Sequence, residues 1–86
     1  MEYKLYGNIA GWKLLDVSNK EKDLIDTMED YIYGCPTAYF IIIKRDVKKN
    51  MDIPYRNIMN KDDFIEYKQE VLNTYQLTKK KKKWYN

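Results

Sequence analysis

Three groups of residues in this chain have the types that do chemistry: Glu66-Tyr67-Lys68 with Asp46 or Asp52 upstream, the carboxylates Asp23, Asp26, Glu29 and Asp30, and the C-terminal KKKKKWYN. The first group contains what holds a metal in many nucleases. There, a Glu-x-Lys pair sits on a strand, so that residues two apart project to the same side. Here Phe64, Tyr67, Val71 and Tyr75 recur at three- and four-residue spacing through the same stretch. That is helical spacing, and on a helix residues two apart point about 200° apart. The group reads as an ordinary charged helix face, and no catalytic residue is assigned.

The absence of histidine closes most other routes to an enzyme. Cys35 is the single cysteine. An intramolecular disulfide, a Cys–His or Ser–His pair and the usual zinc or non-haem iron ligand sets therefore cannot be assembled. No metal and no cofactor is expected, and the chain is read as non-enzymatic. Cys35, just before Pro36, is expected to be a small buried or half-buried thiol.

The formal charge of +3 suggests nucleic acid until it is divided along the chain. Positions 1–78 carry 11 basic against 13 acidic residues, and Lys79, Lys80, Lys81, Lys82 and Lys83 supply the rest. A duplex-binding domain spreads its cations over the fold, because affinity comes from neutralising several phosphates together. Here the positive charge is an appendage. With Trp84 and Tyr85 it could grip a phosphate backbone and stack on bases, or lie on an anionic membrane surface. The plainer reading is a solvated tail, since terminal charge runs are usually disordered. Lys44, Arg45, Lys48 and Lys49 could extend such a patch, but read more simply as a solvated turn.

The acidic group lies inside the fold. Glu21, Asp23, Asp26, Glu29 and Asp30 face only Lys20 and Lys22, a local net charge of −3, and Asp23, Asp26 and Asp30 share one helix face. Such a ridge can be steered into an electropositive groove and compete there with phosphates. Charged helix faces are also routine. The ridge is still the more rigid of the two charged surfaces.

The elements that must carry these groups follow from periodicity. EYKLYGN and GWKLLDV, separated by GNIAG, read as a hairpin or one bent strand. Ser18 followed three residues later by Glu21 is a capping-box pattern. Leu24, Ile25, Met28, Tyr31 and Ile32 then form one helical stripe, with Gly34 and Pro36 as its stop. The run Tyr39 to Ile43 shows no alternation, which predicts a central strand buried on both faces or nearly so. Residues 44–59 read mostly as loop, with a short strand near Tyr55 to Ile58. Asn60 with Asp63 is a second cap, opening an amphipathic helix expected to reach Thr78 or to fray into the lysines.

The result is a β(β)αβ(β)α order, a small two-layer α+β sandwich with two helices on one face of a short, mostly antiparallel sheet. Residues 1–78 form the domain and 79–86 a basic, flexible tail. No apolar run approaches the roughly 20 residues of a membrane span, and the N-terminus lacks a signal peptide's apolar stretch. An intracellular protein, in the cytoplasm of a bacterial host, is expected. The chain is short, rich in lysine, asparagine, isoleucine and tyrosine, and without an active-site constellation. In that style it is similar to small accessory proteins of phages and mobile elements of AT-rich bacteria, although no motif matches a particular family, anti-CRISPR or anti-restriction included.

Two functions are therefore expected. One is a protein-binding inhibitor that occludes its partner through Asp23, Asp26, Glu29 and Asp30, the partner being a nucleic-acid-handling host complex. The other is a nucleic-acid accessory protein using residues 79–85. The many tyrosines and small core also make a homodimer plausible.

Overall fold

The computed structural model describes residues 2–35 and 38–84, with side chains described through Thr74. In chain order the elements are β1 (Glu2–Asn8), β2 (Trp12–Ser18), α1 (Glu21–Ile32), β3 (Tyr39–Asp46), β4 (Met51–Ile58) and α2 (Lys61–Trp84). The four strands form one sheet in the order β2-β1-β3-β4, every neighbour antiparallel. Both helices pack on one face of it. This is the two-layer α+β architecture expected from the periodicity.

The core is the seam between the layers. Leu5, Phe40, Ile42 and Ile58 point up from the sheet into Leu24, Ile25, Met28 and Ile32 of α1 and Phe64 and Tyr67 of α2, all inaccessible to solvent or nearly so. Each such side chain contributes about 1.5–3 kcal/mol by leaving water. Gly7 sits between two of these layers. A Cβ there would meet Leu15 at 2.5 Å and Phe40 at 3.1 Å.

Four local readings change. Tyr39, Ile41 and Ile43 are half-buried while Phe40 and Ile42 are fully buried, so β3 is an inner strand covered on one face only. Within 44–59, expected to be mostly loop with a short strand near Tyr55 to Ile58, Met51–Ile58 form the full strand β4, Pro54 included. Proline is tolerated because β4 is an edge strand, where one row of backbone donors has no ladder partner. At the start of α1 the Ser18–Glu21 box does not form: the helix begins at Glu21 with Lys20 as its cap and no side-chain capping bond. Ser18 Oγ accepts from the Lys20 amide and donates to Asp23, leaving Glu21 free to point elsewhere. At its end α1 stops with Tyr33 in right-handed geometry, and Gly34 is not left-handed. The Pro36 half of that expected stop lies outside the described residues.

The cap of α2 forms as expected. The Asp63 amide donates to Asn60 Oδ1 at 2.8 Å, and Asp63 reaches back to accept from the Met59 amide at 3.1 Å. The helix then runs to Trp84, so the backbone of 79–84 is helical and α2 continues through the lysines beyond Thr78, the first of the two ends expected for it.

Both edge strands carry a bulge. β1–β2 pairing steps from Leu5↔Asp16 to Tyr6↔Leu14, passing over Leu15, and β3–β4 pairing steps from Ile42↔Arg56 to Ile43↔Pro54, passing over Tyr55. A bulge sets two consecutive residues against one and so turns both toward the same face. Here each pair faces the helices: Leu15 joins the core, Asp16 accepts from Thr27 on α1, Tyr55 meets Tyr3, and Arg56 lies over the Tyr67 ring.

Candidate functional site

The first turn of α1 meets α2 and β4 at Glu21. Its carboxylate accepts from the Tyr67 hydroxyl at 3.0 Å. Burial first, and then the negative charge of Glu21, hold the Tyr67 phenol well above its ordinary range. Tyr55 is pushed up to about 12 by burial and then by the same carboxylate. A phenol so raised stays protonated near neutrality and serves as a donor, not a base. Arg56, over the Tyr67 ring at 5.2 Å, also pairs with Glu70. Sequence reasoning missed this node because it assigned Glu21 to a capping box.

Beside the node lies an open groove of about 700 Å³ between α1, β4 and α2. Its lining includes Asp23, Asp26, Glu70, Lys20, Arg56 and Val71, with Arg56 and Glu70 paired to each other.

The four predicted acidic residues divide. Glu29 is drawn sideways to Lys68 of α2, whose amine is raised above its ordinary value chiefly by that hydrogen bond. Asp23 accepts from Ser18. Asp26 and Asp30 are exposed. No described lysine or arginine forms an ion pair with Asp23, Asp26 or Asp30. The structure therefore brings three of the four together on the outer side of α1 and moves Glu29 to the seam between the helices.

The nuclease-like set is dispersed. Glu66 is exposed on α2, Lys68 is committed to Glu29, Asp52 pairs with Lys4 and Arg45, and Asp46 accepts from the Lys48 and Lys49 amides in the β3–β4 turn. Among the described residues no three histidine, cysteine, aspartate or glutamate side chains converge as metal ligands would. Cys35 is half-buried, as expected. The nucleic-acid candidates Lys79 to Lys83 and Trp84 ride on the helical backbone of α2, but their side chains, and all of Tyr85, lie outside the described residues.

The largest feature that sequence reasoning missed is the face of the sheet away from the helices. Among the described residues nothing covers it, and it carries Trp12, Leu14 and Val17, 49%, 51% and 44% exposed. A sign was present in β2, where bulky apolar residues occur on both sides of the strand. No helix of the described residues is long and apolar enough to cross a membrane.

No protein-family model, no curated protein and no solved structure matches this chain.

Proposed function

We propose that this chain is a non-enzymatic binding protein that covers an electropositive surface of a macromolecular partner with the outer side of α1 and so blocks what that surface would otherwise hold. The observation that carries this reading is the set of carboxylates at Asp23, Asp26 and Asp30, which lie together on the outer side of α1 and form no ion pair with a described lysine or arginine. Unpaired charge on a fixed scaffold speeds encounter with a surface of opposite sign and sets orientation. The partner that fits is a protein that handles nucleic acid, because a channel built for phosphates presents lysines and arginines. This is steric inhibition of the kind associated with phages and mobile elements. Asp26 and Asp30 contribute most, Asp23 less because Ser18 already holds it, and Glu29 least.

The test is capture of a protein from bacterial lysate by three forms: wild type, Asp26→Lys with Asp30→Lys, and a chain ending at Thr78. Charge reversal is expected to abolish capture, while truncation leaves most of it. In parallel, single- and double-stranded DNA and RNA are titrated at low and physiological salt. Capture indifferent to charge reversal sinks the reading. Nucleic-acid binding with a steep salt slope that disappears on truncation transfers the function to residues 79–86.

A further inference from the structure

The uncovered sheet face is ordered in rows by strand pairing. Leu5, Gly7, Phe40 and Ile42 point to the helices, so their neighbours point away, and paired residues share a side. The rows are Trp12–Asn8–Tyr39, Leu14–Tyr6–Ile41–Asn57, Val17–Lys4–Ile43–Pro54 and Glu2–Arg45–Asp52. Contacts agree with the rows. Asn8 Nδ2 donates to Tyr39 Oη at 2.9 Å, the Trp12 and Tyr39 rings meet edge to face at 5.3 Å, and Asp52 pairs with Arg45 at 3.2 Å and Lys4 at 3.8 Å. The two rows from Trp12 to Asn57 carry no charge, and the charged side chains Lys4, Glu2, Arg45 and Asp52 lie in the other two, with Lys4 and Arg45 both paired to Asp52.

We infer that this face is the interface of a homodimer in which two copies pack sheet against sheet, with the helices outward. Balanced charge and the size of the face both suit a second copy as the occupant. The face holds Glu2 and Asp52 against Lys4 and Arg45, and Asp52 is already paired with both cations. A face laid against itself doubles any net charge it has, so only a balanced one can do this without repulsion. The acidic outer side of α1 does not meet that condition. Area agrees: four strands about 4.8 Å apart and seven residues of about 3.3 Å give a projection of roughly 440 Å². Side chains standing out from it, Trp12 and Tyr39 foremost, raise the accessible area of two such faces toward the lower end of a specific interface, roughly 1,200 Å² in total. Sheets with one uncovered apolar face pack in pairs about 10 Å apart, and that would give this small chain a second core layer.

The experiment is the mass of the full chain in solution from micromolar to millimolar concentration by sedimentation and light scattering. A species of twice 10.5 kDa is expected, with Trp12 fluorescence shifting to the blue as it forms. Leu14→Lys and Ile41→Lys, each placing an unpaired ammonium in an uncharged row, are expected to raise the dissociation constant by about a hundredfold or more. Leu14 is half-exposed on an edge strand, so its replacement leaves the fold intact even if that of Ile41 does not. Asp26→Lys with Asp30→Lys leaves the dimer unchanged, which separates this inference from the function proposed above. A single-chain mass at every concentration overturns it, as does a dimer indifferent to Leu14→Lys.

Discussion

Tyr67 donates its hydroxyl hydrogen to Glu21 across 46 positions of chain, at 3.0 Å, and so ties the middle of α2 to the first turn of α1. The ring of Tyr67 is core and its oxygen reaches a polar partner, the arrangement that lets a buried tyrosine avoid an unsatisfied hydroxyl.

Tyr67→Phe keeps the ring and removes the bond. Unfolding in urea at neutral pH is expected to show a loss of about 1–2 kcal/mol, since Glu21 also loses a donor. A change below a few tenths would mean that the bond contributes nothing net.

Stability should also fall in alkali. Tyr67 and Tyr55 hold their protons above the ordinary value of 10.0, Tyr55 to about 12. Below pH 10 both states are protonated and the stabilisation is complete. As pH rises from 10 toward 12 the unfolded chain loses protons that the folded one keeps, at a cost of up to about 1.4 kcal/mol per pH unit for each such phenol. Tyr55, at 40% exposure, supplies less than that because solvent screens it. Urea midpoints measured across this range should fall less steeply for Tyr67→Phe than for wild type.

Gly7→Ala places a methyl against Leu15 and Phe40. Overpacking of this kind costs about 1–3 kcal/mol. Because the closest atom is the end of a flexible leucine, Gly7→Ala combined with Leu15→Ala should be less destabilised than the two single changes added together. Additivity in that cycle would place the strain elsewhere.

The two helix starts should respond differently. Asn60→Ala removes a side-chain cap and is expected to cost about 1 kcal/mol or somewhat more. Ser18→Ala, which removes bonds to the Lys20 amide and Asp23 ahead of an uncapped helix, should cost less. Equal losses in thermal unfolding would restore Ser18 as the cap of α1.

Glu29→Gln separates seam from surface. Both partners of the Glu29–Lys68 pair are about one-third exposed, 31% and 36%. Such a solvent-exposed pair contributes little and weakens with salt. Its loss should lower the urea midpoint slightly at low salt while partner capture persists. Loss of capture with unchanged stability would put Glu29 back among the binding residues.

The helices were legible because their signals are local. The stripe Leu24, Ile25, Met28, Ile32 and the Asn60–Asp63 cap lie within one or two turns, and period and capping chemistry suffice to read them. Of strand β4 only the end near Tyr55 to Ile58 was legible, because Pro54 and the polar stretch before Met51 look like loop until an edge position removes the need for a donor there. β3 was half legible. Its unbroken apolar run announced a strand, but an apolar side chain reads the same whether a helix covers it or nothing does.

For the candidate site the division falls in the same place. Composition and spacing determined the amphipathic helices, the absence of histidine chemistry and the existence of an acidic face, since each depends on residue type and near-neighbour order alone. Tertiary structure decided that Glu29 belongs to Lys68 and Glu21 to Tyr67, that the bulges at Leu15 and Tyr55 turn paired residues toward the helices, and that Trp12, Leu14 and Ile41 lie on a face left uncovered. Those outcomes depend on which distant segments meet, and a chain's local pattern carries no record of its long-range partners.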